Sequence, residues 1–398
     1  LLERRHIYSW KERINYFFTK KQVVNQASKT SKRYMALGLA GELRENVRRI
    51  SVSLLFSLGV FLIGLSIGAV LMVIFGYNPL KAYRSLFYGA LLGRGGLAES
   101  ISLSIPLMLS GLTFAISAKA GLFNIGAEGQ IYLGAIGAVI AGAYLSLPFP
   151  LHLIVTTLFA MLLGVAWSLG PALLKAYKGV NEVITTIMFN WIATYLVMYL
   201  ALNVFYDPQR AERTVTVLPT ARYPQLVVYS SLTTAIFAAL LLCIIFYVIL
   251  FKTKIGYELR VYGSNPDAAK YSGISSKKVV LYSFILGGMA AGLAGGLLIT
   301  GRPPTFALYG TLGNVSGYGF DGIGVALIGR NHPIGIILSA FLIALLRNGG
   351  RYMEFQAGVY SELVRAIIGI IVIALAIPEI YEMVARYMRI RRARRMVE

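Results

Sequence analysis

The sequence predicts an all-α fold, a polytopic helical bundle within a membrane, with about ten transmembrane helices and discontinuous helices near its centre. Three observations predict it. Of 398 residues, 57% are apolar and only 14% charged, whereas a soluble domain carries about 25% charged residues. Lipid is the solvent that fits this deficit. Residues 51–75, 151–174, 183–206, 226–251 and 279–301 contain no Asp, Glu, Lys or Arg, and each exceeds the roughly 20 helical residues that cross a hydrocarbon core. The net charge of +21 is also unevenly placed: residues 1–50 hold twelve Lys/Arg against four acids, 252–278 six against two, and 379–398 six against three. Basic residues gather on loops retained in the cytoplasm, where they also meet anionic lipid. Topology therefore explains a charge that nucleic-acid binding explains less well.

In chain order, residues 1–50 form a basic cytoplasmic segment, either a solvated arm or an amphipathic helix on the membrane surface. The first crossing begins near residue 51, too late for the apolar core of a cleaved signal peptide, which sits within the first 15–30 residues or so. The transmembrane domain, 51–378, then crosses near 51–75, 100–118, 124–147, 151–174, 183–206 and 226–251. The 175–182 turn lies inside on this path, and the 207–225 loop outside. The basic loop 252–278 is again inside, and 279–301 leads outward. Residues 303–378 are broken by Pro303, Pro304, Asp321, Arg330, His332 and Pro333; three shorter crossings are expected there, near 315–329, 333–347 and 361–378. The basic tail 379–398 is cytoplasmic, giving a multi-pass protein of the plasma or inner membrane with both termini inside. Gly288, Gly292 and Gly296 form overlapping small-xxx-small motifs and mark close helix packing. The single cysteine, Cys243, excludes an intrachain disulfide, and His6, His152 and His332 lack ligand spacing. No metal or other cofactor is expected.

Ionisable groups at membrane depth are costly and tend to face a cavity or a partner. Glu128, Glu182, Asp321 and Glu362 stand out, and two of them are surrounded by glycine, in "FNIGAEGQ" and "GYGFDGIGVALIG". Gly-rich breaks at matching places in two halves point to a central translocation site, because unwound backbone is tolerated only where it lines protein or water. Asn124, Glu128, Gln130, Asn190 and Asp321 are therefore candidate pathway residues, with the helix expected to break around Gly126 and Gly129. A structural hydrogen bond from Glu128 to a neighbouring helix is the competing reading. Asn190 likewise fits interhelical glue, and Glu182 a charge at a helix N-terminus. Phe123, Phe189, Trp191 and Phe320 could supply an aromatic wall.

In the basic loop, Asn265 is a good N-cap, Pro266 suits the first turn, Asp267 complements the dipole and Gly273 can end the helix. A helix of about seven residues is expected, too short to bury a core of its own. It must dock on something.

These stretches resemble the permease subunits of ATP-binding-cassette importers, in the branch serving sugars, branched-chain amino acids and nucleosides. "SGLTFAISAKAGLFNIGAEGQIYLGA" (110–135) and "GYGFDGIGVALIGRNHPIGIILSA" (317–340) look like the hallmarks of the two halves, and "LRVYGSNPDAAKYSGI" (259–274) like the coupling-helix segment. "NEVITTIMFNWIA" (181–193) is closest to the nucleoside permeases that work with basic-membrane-protein-type binding lipoproteins. The resemblance implies two ABC ATPase domains, a second permease subunit and an extracytoplasmic substrate-binding lipoprotein as partners, besides membrane lipid. It also implies ATPase coupling through Gly263, Asn265, Pro266, Ala268, Ala269 and Gly273. The sequence has no G-x-x-x-x-G-K-[ST], so the chain is expected to be a transport subunit without its own ATPase site. The alternatives are a sugar or branched-chain amino acid permease and, in other classes, an ion-coupled secondary transporter or a membrane enzyme.

Overall fold

A computed structural model describes residues 59–377; the basic arm 1–50 and the tail 379–398 lie outside the described residues. The body from Ile63 onward packs as one compact unit, and its elements fall where the apolar runs place them. They are α1 (Gly59–Ile74), α2 (Pro79–Phe87), α3 (Gly96–Lys119), α4 (Ala127–Tyr144), α5 (Leu151–Lys178) and α6 (Glu182–Tyr199). A short hairpin, β1 (Tyr206–Asp207) and β2 (Arg210–Thr214), precedes α7 (Ala235–Lys252), α8 (Lys254–Ser264), α9 (Pro266–Tyr271) and α10 (Ser276–Thr300). The chain then forms α11 (Tyr318–Ile328), α12 (Pro333–Ala357) and a last helix, α13, over 361–377. Among the described residues six helices are long and apolar enough to cross a membrane: α3, α5, α6 with its π-helical extension to Val204, α7, α10 and α12.

The interior is built by α3, α4 and α10, most of whose residues are buried. They carry apolar residues on every face, as buried helices do. Small residues let them approach. A Cβ on Gly292 would stand 2.6 Å from the Ala160 carbonyl and 3.1 Å from Gly164 Cα, so α10 and α5 touch backbone to backbone. Between α3 and α10, Thr113 Oγ1 donates to the Gly287 carbonyl at 2.9 Å and Ser283 Oγ to Ser117 Oγ at 3.1 Å. By contrast α5, α6 and α7 carry rows of exposed Leu, Ile and Trp, such as Leu158, Trp191 and Leu241. That is the face a bilayer covers.

Four expectations are corrected. The seventh helix starts at Ala235 rather than 226, because residues 224–234 hydrogen-bond into a cap at the hairpin end: Thr233 Oγ1 donates to the Gly301 carbonyl at 2.7 Å and Ser231 N to Glu99 at 2.8 Å. The same cap ties β2 to the 301–317 loop through Thr214 N and the Leu308 carbonyl, 2.8 Å. The loop 252–278 is nearly all helix, since Thr253 caps a second helix, α8. The helix expected to end at 347 runs to Ala357, because Arg347 and Asn348 find polar partners inside the bundle and Arg351 reaches Glu99 from an exposed position. Finally, the chain breaks over 120–126, between α3 and α4, while Gly129 lies inside a helix.

Candidate functional site

The geometry of the site begins with α11. Its 11 residues rise about 16 Å, half the roughly 30 Å of a hydrocarbon core, so it is a half-helix whose first turn lies inside the bundle. Gly317 opens it in the left-handed region, φ +86°. The N–H groups of that turn need an acceptor, and Glu128 supplies it. Its Oε2 accepts from Gly319 N at 2.6 Å, and its Oε1 accepts from Gly317 N and from the Tyr132 hydroxyl, the latter at 2.7 Å. The carboxylate is 4% exposed. A buried anion at the positive end of a helix, held by three donors, is a stabilised one. Its partners are backbone amides and a hydroxyl.

The rest of the 124–130 segment is held from α6. Asn190 Oδ1 accepts from Gly129 N at 2.9 Å and its Nδ2 donates to the Ile125 carbonyl at 2.8 Å, clamping the end of the break to the first turn of α4. Asn124 Oδ1 takes Gly126 N at 2.9 Å. Two amide atoms here, Asn124 Nδ2 and Gln130 Oε1, are buried without a hydrogen bond to the protein.

The structure thus brings Asn124, Glu128, Gln130 and Asn190 together. Asp321 lies one turn into α11, where it pairs with Arg347 of α12. Arg347 also lies over the Tyr318 ring, 5.5 Å from its centroid, and Arg302 Nη1 donates to the Tyr318 hydroxyl at 2.8 Å. Glu99 joins Arg302 at 3.4 Å and Arg351 at 4.0 Å. Sequence reasoning missed this network, although two arginines four apart in an apolar helix, Arg347 and Arg351, were its signal. Toward the hairpin end a cleft of 390 Å³ is lined by Arg94, Glu99, Gln225, Ser231 and Tyr352, among others, but by none of the five expected pathway residues. The aromatic wall does not form as one surface: Phe123 pairs with Phe114, Phe189 with Trp167, and Trp191 with Tyr195. Glu182 begins α6 and pairs with Lys175 at 2.7 Å, in keeping with a helix-terminal charge.

At the opposite end, α9 forms as its sequence demands. Asn265 Oδ1 accepts from Asp267 N at 3.0 Å and Ala268 N at 3.1 Å, Pro266 fills the first position, and Gly273 follows the helix at φ +79°. Ala268 is exposed and Tyr271 is 95% exposed, whereas Ala269 is fully buried against this chain. Ala269 therefore supports the helix from beneath, and Tyr271 is the large side chain it presents.

Comparison with known proteins gives the family of the chain. Residues 96–376 match the family described as branched-chain amino acid transport system / permease component. The chain is 37% identical to the guanosine ABC transporter permease protein NupP of Bacillus subtilis, over 83% of this chain and 94% of that protein. It is 32% identical to the nucleoside ABC transporter permease protein NupB of Lactococcus lactis, over 80% of this chain and 89% of the relative. The glucose ABC transporter permease protein TsgB13 of Haloferax volcanii is also 32% identical, over 81% and 86%. No solved structure matches.

Proposed function

The chain belongs to the family of branched-chain amino acid transport system permease components, and from that premise we propose that it forms the membrane path of an ATP-binding-cassette importer that takes up nucleosides. The observation that carries the substrate class is the 37% identity to a guanosine permease along nearly that protein's whole length. In this reading two ABC ATPase domains drive the cycle, a second permease subunit completes the path and an extracytoplasmic binding lipoprotein delivers the solute. The chain crosses the membrane ten times, with both termini and the α8–α9 end in the cytoplasm. The exposed face of α9 meets an ATPase; Asn265 and Gly273 shape that helix, and Ala269 seats it. Asn124, Gln130 and Asn190 border the path beside α11, Asp321 faces it through its ion pair, and Glu128 holds the half-helix that bounds it. The chain itself brings no phosphate-binding loop, so the energy comes from its partners.

The test is uptake by proteoliposomes containing the purified complex. Nucleoside uptake that needs ATP, the ATPases and the lipoprotein supports the proposal; gradient-driven uptake by the chain alone refutes it. The 32% identity to a glucose permease favours a second reading, a sugar permease. Competition of labelled nucleoside against glucose for the lipoprotein separates the two.

A further inference from the structure

Helix α9 and the buried Glu128 are joined by main-chain contact. Gly263, just before the Asn265 cap, packs against the turn that closes α3. A Cβ on Gly263 would strike the Lys119 carbonyl and stand 2.8 Å from Gly121 N and 2.9 Å from Ala120 C. Gly121 itself takes φ +70°, and a Cβ there would stand 3.1 Å from Gly263 Cα. With no side chain between the two backbones, a displacement of α8–α9 reaches residues 120–121 without a flexible buffer. The 120–126 segment leads directly into α4, whose second residue, Glu128, holds the first turn of α11.

We propose that the Gly263–Gly121 contact transmits coupling-helix movement to the Glu128 latch, so that α11 shifts in step with the ATPases. This rests on the importer reading. Gly121 and Gly263 are positioning residues, touching neither solute nor nucleotide. Movement of α9 displaces 120–126, Glu128 is drawn from the N–H groups of Gly317 and Gly319, and α11 carries Asp321 relative to its partner Arg347 on α12.

The experiment reconstitutes the full complex, with lipoprotein and ATPases, and reads nucleoside moved per ATP hydrolysed. Gly263→Ala inserts a methyl into the contact; Gly121→Asn is the milder variant, because Asn tolerates the left-handed region and its Cβ meets Gly263 at 3.1 Å. Both are expected to hydrolyse ATP yet lower the ratio at least about five-fold, the lower bound of a typical coupling effect. Gly179→Ala, which strains a left-handed position at φ +68° with nothing within 4 Å, is expected to leave the ratio unchanged. Glu128→Gln should lower the ratio too, and adding it to Gly121→Asn should lower it no further. Should Gly263→Ala fail to assemble, Gly121→Asn decides alone. An unchanged ratio in Gly121→Asn, an equal fall in Gly179→Ala, or multiplying effects of Gly121→Asn and Glu128→Gln overturns the relay. Absence of ATP-driven uptake by the wild-type complex overturns the importer reading and the relay with it.

Discussion

Replacing Glu128 by Gln keeps the side chain's size and removes its charge and one of its acceptor oxygens. In the protein those oxygens receive the Gly319 N–H at 2.6 Å, the Tyr132 hydroxyl at 2.7 Å and the Gly317 N–H. A glutamine offers one acceptor oxygen and an NH2 group, so one backbone N–H of α11 then faces another donor. The orphaned donor costs about 1–3 kcal/mol, and losing the charge at the helix N-terminus adds up to ~2 kcal/mol in a partly buried setting. About 3 kcal/mol of local stability is therefore expected to go. Glu128→Ala orphans all three donors, roughly 3–9 kcal/mol by the same count, and is expected to accumulate poorly. Hydrogen exchange read by mass spectrometry on the purified chain in nanodiscs measures the effect. Peptides over 315–324 should exchange about a hundred-fold faster in Glu128→Gln, with those of α5 unchanged. Wild-type exchange at α11 in this variant would refute the claim that the carboxylate holds this end of the helix.

Tyr271→Asp is expected to weaken ATPase association in pull-downs while leaving thermal unfolding of the chain unaltered. Ala269→Asp should instead lower the unfolding temperature itself, since an unpaired charge in a buried position costs several kcal/mol; equal stability of the two variants would contradict the burial of Ala269. Arg347→Gln leaves Asp321 without its counter-charge and should destabilise the chain by about 1–2 kcal/mol, a buried-pair cost discounted for partial exposure. Asp321→Asn in the same chain should restore part of that loss, and a double-mutant cycle reads the coupling. His332 caps α12 through Nδ1, which accepts from Ile334 N at 3.3 Å; burial, and then the nearby Lys119, hold its pKa below the ordinary 6.5. The unfolded chain takes the proton first, so this stability is full above about pH 6.5 and falls as pH drops through the lowered folded value. His332→Asn, which keeps a capping acceptor, should flatten that acid-side fall in the thermal unfolding curve.

Features set by neighbours in the chain are legible in the order of residues. The apolar runs at 100–118, 151–174 and 279–301 correspond to the helices Gly96–Lys119, Leu151–Lys178 and Ser276–Thr300, because length and hydropathy are summed locally and lipid rewards both. The cap of α9 is readable for the same reason: Asn265 reaches N–H groups two and three residues on. Glycine spacing in α10 announces close packing, which the Gly292 contacts bear out.

The solvent, the helices, their local caps and the family to which the motifs point are thus written into the chain. Which polar group meets which is settled by the packing of the whole bundle. Two of the three partners of Glu128 are amides 189 and 191 residues away, and nothing periodic in either segment specifies that pairing. Ala269 and Ala268 are adjacent and chemically identical, yet one is buried and the other exposed, because their directions around α9 depend on where α9 rests. The cap over 224–234 and the arginine network of α12 escaped for the same reason. A run of residues can show that it holds a charge or a turn, but the acceptor that makes the charge tolerable lies on another helix. Its position follows from how every small-residue face in the bundle packs at once.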